Sequence, residues 1–431
     1  MADRRIPALP ILFIVALTSV LQAQSPIDLE LAEQYFDEAR VLSECDGGRM
    51  WGTPLYGPMF FVDRATRAVV ANQADQRGFL KQVGPVFVGT LPPKEMIANA
   101  ATKWAGVTWT MVMWPLPADA MERQRLMAHE SWHRIQDQLG FPGSDPANDH
   151  LDTREGRIWL QLEWRALKEA LLHSQQDRKR ATEDALTFRA YRRFLFPESA
   201  GLERALEMHE GLAEYTGIRL AAESAAASRA AKNLKEAEKR ETFVRSFAYA
   251  SGPAYGVLLD ATKPNWREGL SVQDDLGELL RAAMSISLSR DLAGATLQRA
   301  ERYDSTSLIS VETERDKARQ ARLAMYRRRF VEGPALTIPF RQGALGFNPN
   351  NLQPLDDLGT VYPTMKVVDV WGILTVTGGA LLGKSWGKII VPSPQDPNAR
   401  PLSGDGWTLE LNEGWTTRGG RRKGDYVLTA K

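Results

Sequence analysis

Apolar and polar positions change period three times along this chain, and each change marks a different kind of element. In residues 26–42 the apolar side chains Leu29, Leu31, Ala32, Tyr35, Phe36 and Ala39 fall at helical spacing, which predicts a short helix. The pattern then shortens. Residues 59–62 (Met-Phe-Phe-Val) and 68–71 (Ala-Val-Val-Ala) flank a polar run at 63–67, as a hairpin requires, and residues 86–89 add a further strand. Residues 107–114 alternate, with Val107, Trp109, Met111 and Met113 on one side, and stop at Pro115. Residues 45–117 are therefore expected to form a small antiparallel sheet.

From residue 118 to about 330, Ala, Leu, Glu, Arg and Gln dominate, and prolines stand at breaks such as Pro142, Pro146, Pro197, Pro253 and Pro264, which predicts a helical region. Within it, residues 174–193 and 221–245 carry paired charges and small side chains, the pattern of solvated helical hairpins. Past Gly333, short strand-forming runs at 336–338, 366–368, 372–377, 388–391, 407–411 and 426–429 alternate with clusters of Gly, Pro, Asn and Asp. That spacing predicts a C-terminal β-sandwich or barrel. The expected fold class is α+β. Residues 25–117 and a helical region at 118–332 form one unit, with a charged helical insertion at about 150–200, and residues 333–431 form an all-β domain.

A chain of 431 residues has room for two or three domains. Its 54 Lys and Arg against 53 Asp and Glu leave a net charge of +1, which argues against a nucleic-acid partner. Arg4 and Arg5 precede an apolar stretch at 6–21 that ends in Gln22-Ala23-Gln24-Ser25, so residues 1–24 read as a signal peptide cleaved near Ala23 or Gln24. An exported protein, periplasmic or extracellular, with no stable membrane span after cleavage is expected. Cys45 is the single cysteine, so no intrachain disulfide can form.

The chemistry centres on His129-Glu130-Ser131-Trp132-His133. Histidines four apart lie one above the other on a helix, so both can present a nitrogen to one tetrahedral ion. Glu130 then stands beside the open coordination position, where a base can take a proton from water. With 5 histidines in the chain, chance yields such a motif with an expectation on the order of a few in a thousand. A third ligand is needed. The metzincin pattern fails, because Gln136 and Leu139 occupy its glycine and histidine positions. His150, His173 and His209 lack a partner motif and read as surface or structural histidines. Glu210 is the preferred ligand, in a helical Glu210-Gly211-Leu212-Ala213-Glu214-Tyr215 whose Gly211 and Ala213 would allow close approach to the metal helix. Glu214 would accept a hydrogen bond from a ligand histidine. Glu163 is the chief rival to Glu210, and Glu155 a lesser one.

His129-Glu130-x-x-His133 followed by Glu210-Gly-Leu-Ala-x-Tyr resembles the gluzincin zinc metallopeptidases, most closely the M1 aminopeptidase family with its thermolysin-like catalytic domain. Tyr249-Ala250-Ser251-Gly252-Pro253 is similar to the segment in which that family's tyrosine stabilises an oxyanion, which implies Tyr249 as donor, with Tyr255 as the alternative. The resemblance covers about residues 105–260 and implies one Zn2+ per chain. It also implies a peptide or protein substrate, bound as a strand added to residues 107–113. Three departures qualify it. His133 and Glu210 stand 77 positions apart, Ser251 replaces the family's lysine, and no Gly-x-Met-Glu-Asn segment precedes the metal helix. That last segment anchors a substrate amine in the family, so general peptide hydrolysis is expected rather than strict aminopeptidase action. A metallopeptidase-like binding or scaffold protein without turnover is the alternative, along with hydrolysis of a non-peptide amide or ester.

Overall fold

The computed structural model describes residues 26–341, 343–348 and 351–431, and the signal-peptide reading of residues 1–24 lies outside them. Helices and strands segregate along the chain into an α+β arrangement. The first helix, Leu29–Asp46, is capped by Asp28, whose carboxylate accepts from the Glu30 and Leu31 amides, and stops at Gly47 with φ 59°. It buries Ala32, Tyr35, Phe36 and Ala39 against one face of a six-stranded sheet, with Phe36 stacked on Phe61 at 4.4 Å.

Strand order in that sheet is Lys81–Val83, Val86–Thr90, Ala68–Ala71, Met59–Asp63, Val107–Trp114, Ala100–Trp104. It is mixed rather than antiparallel as expected, because Met59–Asp63 and Val107–Trp114 run parallel. The hairpin partner Ala68–Ala71 occupies one side of Met59–Asp63, and the chain crosses over to return on the other side in the same direction. The unbroken apolar run Met59-Phe60-Phe61-Val62, wholly buried on both faces, is the signature of such an interior strand. A second correction follows. Ala100–Trp104 covers residues 107–111 of Val107–Trp114, so over that length the sheet edge on this side belongs to Ala100–Trp104, and residues 112–114 alone stay without a strand neighbour there.

Beyond the sheet, Asp119 caps the helix Ala120–Ile135, which packs on the sheet and along the helix Leu212–Ala222. Arg154–Leu172 and Gln175–Leu195 form a helical hairpin, and the solvated reading of residues 174–193 needs correcting. Ala181, Ala185 and Phe188 are buried there, and so are Arg189 and Arg192, because each guanidinium finds buried carboxylates to pair with. The region at 221–245 likewise buries Ala230, Ala231 and Leu234.

The C-terminal strands form a seven-stranded and a five-stranded sheet that share one core. Leu336, Ile338, Ile389 and Val391 from the first meet Val367, Leu374 and Leu409 from the second, which makes a sandwich. No described helix is long and apolar enough to cross a membrane.

Candidate metal centre

Three elements converge on one point. The helix Ala120–Ile135 presents His129 and His133 on one face, with Nε2 atoms 3.1 Å apart. A π-helical turn at Glu207–Gly211 leads into the helix Leu212–Ala222 and brings Glu210 Oε2 to 3.6 Å from His129 Nε2 and 3.3 Å from His133 Nε2. The helix Ala248–Thr262 supplies Tyr249, whose hydroxyl donates to Glu210 Oε2 at 2.6 Å and whose ring stacks on His129 at 5.6 Å.

Glycines make this convergence possible. A Cβ on Gly252 would lie 2.3 Å from the Gly211 Cα, so the Glu210 and Tyr249 segments touch backbone to backbone. A Cβ on Gly217 would lie 2.6 Å from the Arg125 carbonyl oxygen of the histidine helix. Close approach to the histidine helix thus depends on Gly217, whereas Gly211, to which the sequence assigned that task, faces Gly252.

The donor set fits a divalent ion. His129 Nδ1 lies 2.9 Å from Glu214 Oε2 and His133 Nδ1 lies 2.9 Å from Gln136 Oε1. Each imidazole therefore keeps its N–H on that side and turns the Nε2 lone pair inward. Two such lone pairs at 3.1 Å beside a carboxylate need a proton or a cation between them. Atoms separated by 3.1, 3.3 and 3.6 Å have a common point about 2 Å from each, the bond length zinc takes to nitrogen and oxygen. Two histidines and one glutamate also match the ligand set of catalytic zinc sites with an open fourth position.

Charge is arranged to suit. Burial pulls the His129 imidazolium down, but hydrogen bonds to Glu210 and Glu214 outweigh it and raise its pKa to about 10, so a cation taking that place displaces a proton. Burial raises the Glu210 carboxyl, and the two histidines more than reverse this, holding it well below its ordinary value. Arg125 clamps both oxygens of Glu214 at 2.8 and 2.6 Å and keeps it ionised against its burial. Glu130 is buried and accepts no hydrogen bond from the described residues, and burial raises its pKa, as a general base requires. Burial, with Glu210 alongside, raises Tyr249 well above its ordinary value, so it stays a donor.

Other sequence candidates lie elsewhere. Glu163 is enclosed by Arg189, Arg192 and the Tyr255 hydroxyl, the last at 2.7 Å, which removes both Glu163 and Tyr255 from the centre. Glu155 accepts from Trp159 Nε1, His150 pairs with Glu203, and His173 sits at an exposed helix end. The structure adds Arg245 and Arg125, which the sequence left unassigned, and it places beside the centre His209, which reads from the sequence as a surface or structural histidine. His209 lies with its ring 4.9 Å from His133 and its Nδ1 donating to the Ser144 carbonyl; its adjacency to Glu210 was the available signal. Arg245 ties Glu210 Oε1, at 2.9 Å, to Asp145. Arg125 precedes His129 by one helical turn, a spacing that puts both on one face.

A cavity of about 1030 Å³ opens in front of His129 and Glu130. Its walls are residues 95–99 before the edge strand, Asn233, Arg240 and Tyr249 from the helical region, and Phe347, Met365 and Lys366 from the C-terminal sandwich. Comparison with family models, curated proteins and solved structures finds no match to this chain.

Proposed function

We propose that this chain is an exported zinc-dependent peptidase of gluzincin type, with His129, His133 and Glu210 holding one Zn2+ and a thermolysin-like arrangement of helices around it. The observation that carries the reading is the convergence of His129 Nε2, His133 Nε2 and Glu210 Oε2 at mutual distances of 3.1 to 3.6 Å. Glu130 lines the same cavity as His129 and Tyr249. When bound, the ion would polarise a water molecule and the scissile carbonyl.

The remaining chemistry belongs to the chain. Glu130 takes a proton from the water as its oxygen attacks the carbonyl carbon, then passes that proton to the departing amine nitrogen as the C–N bond breaks. Tyr249 donates to the carbonyl oxygen as negative charge gathers on it. Glu214, held by Arg125, fixes the orientation of His129. The free edge at Ala100–Trp104 and the segment before it would take an extended peptide by strand addition.

The test is zinc analysis of the purified protein together with Glu130→Gln on a mixed peptide library. One zinc per chain is expected in both forms, with cleavage by the variant lowered about 10²- to 10⁴-fold. Absence of zinc would sink the centre. Undiminished cleavage by the variant would sink Glu130 as base.

A further inference from the structure

Among the described cations that line the cavity in front of the proposed metal centre, Arg64 and Lys366 are exposed to solvent, and of the half-buried ones Arg240 alone has no carboxylate partner and a single backbone acceptor. Arg125 is paired with Glu214 and Glu122, Arg229 lies 2.5 Å from Glu122, and Arg67 donates to the backbone carbonyls of Leu91, Pro92 and Glu95. Arg240 is different. Its Nη1 donates to the Ser246 carbonyl at 2.7 Å, and no carboxylate among the described residues lies within ion-pair distance of its guanidinium. It is half-buried, and Glu214, the acid that acts on it most, is already clamped by Arg125 and His129.

Ser246 precedes Tyr249 by three residues, and the Tyr249 carbonyl lies 3.5 Å from the amide nitrogen of buried Asn233. Arg240, Asn233 and Tyr249 therefore form one wall, beside the place where the scissile carbonyl must lie. A desolvated cation without a counterion is costly in a folded chain, and burial pulls Arg240 below its ordinary pKa. A bound anion removes that cost.

Resting on the peptidase reading above, we infer that Arg240 is a substrate-binding residue that receives a peptide carboxylate, so that peptides carrying a carboxylate near the cleaved bond are the preferred substrates. A guanidinium recognises a carboxylate through paired N–H donors, and Arg240 keeps Nε and Nη2 free of protein carboxylates. The carboxylate belongs either to a chain terminus or to an Asp or Glu side chain.

Binding without turnover tests this. The full chain carrying Glu130→Gln is titrated with a fluorescein-labelled, glycine- and alanine-rich hexapeptide in three forms: free C-terminal carboxylate, C-terminal amide, and amide with one internal glutamate. At least one carboxylate form is expected to bind about 10- to 100-fold tighter than the neutral amide. Which form does so identifies the source. Adding Arg240→Gln, which keeps a donor for the Ser246 carbonyl, should abolish the preference, and Arg240→Lys should restore part of it. Equal binding of all three forms, no binding of any, or a preference that survives Arg240→Gln in a folded protein overturns the assignment. A chain that cleaves peptides but ignores the carboxylate refutes this inference alone. A chain that binds the carboxylate through Arg240 yet cleaves nothing refutes the peptidase reading alone.

Discussion

At the scale of single residues the centre is organised by which hydrogen-bonding sites are already taken. Both imidazoles commit Nδ1 to a partner, Glu214 commits its remaining capacity to Arg125, and Glu210 Oε1 is held by Arg245. What remains directed inward is two nitrogens and one oxygen, all acceptors, which is the electrostatic description of a cation site. Among the described residues, Tyr249 is the one that donates to the inward-facing Glu210 Oε2. In the proposed reaction its hydroxyl would pass from Glu210 to the developing oxyanion, a role closed to Tyr255, which is locked on Glu163 in the interior. Tyr249→Phe should therefore lower kcat about 10²- to 10³-fold with zinc content unchanged. Tyr255→Phe should leave kcat near the parent value and reduce thermal stability instead. Peptide kinetics and metal analysis on the two variants would separate these roles, and equal kcat for Tyr249→Phe and the parent would exclude Tyr249 as the donor.

At the scale of elements the centre depends on how closely two backbones approach. The Glu210 and Tyr249 segments cross at Gly211 and Gly252, where an added methyl group would fall 2.3 Å from a backbone carbon. Gly252→Ala should force the helix Ala248–Thr262 outward, costing about 1–3 kcal/mol and weakening zinc affinity as Glu210 and Tyr249 separate. Gly201→Ala, in the helix Ser199–Leu206 with nothing within 4 Å, should be neutral or slightly stabilising. Melting curves and competitive zinc titration on both variants check the contrast. The same crossing explains what could be read from the sequence. His129, Glu130 and His133 are legible because one helix fixes their relation, and Glu214 on His129 follows from the segment that supplies Glu210. The partner of Gly211 was not legible, since it is set by a helix crossing between residues 41 positions apart. The parallel pairing of Met59–Asp63 with Val107–Trp114 was hidden for a similar reason. Alternation reports which face is buried, whereas strand direction is set by a long crossover. Arg189 and Arg192 were assigned to a solvated face because charge pattern alone does not show that the opposing carboxylates lie inside.

At the scale of the whole molecule, those arginines form part of an ionic network behind the candidate metal centre. Arg189, Arg192 and Arg193 meet Glu163, Glu203, Glu207 and Asp275, joining the helical hairpin to the π-helical turn that carries Glu210. Arg192 is wholly buried between Glu163 and Glu203, so Arg192→Met would leave two carboxylates without their main cation. A loss of about 3–5 kcal/mol is expected at neutral pH. Acid provides the second signature. Burial would raise the Glu203 carboxyl, but Arg192 and the His150 hydrogen bond hold it well below its ordinary value, and Asp275 is lowered by Arg189 and Arg193 against its own burial. Such groups bind protons more weakly folded than unfolded, so their contribution is complete above the unfolded pKa near 4 and is lost as pH falls toward the folded one. Glu207, raised by burial despite Arg189, acts in the opposite sense and offsets part of that loss. The parent chain should therefore lose stability as pH is lowered below about 4, and Arg192→Met, in which the main cause of the Glu203 depression is gone, should lose less over the same range. Urea denaturation of both chains at pH 7 and pH 3.5 measures the two differences, and an identical acid-induced loss in the two proteins would show that this network does not govern acid stability.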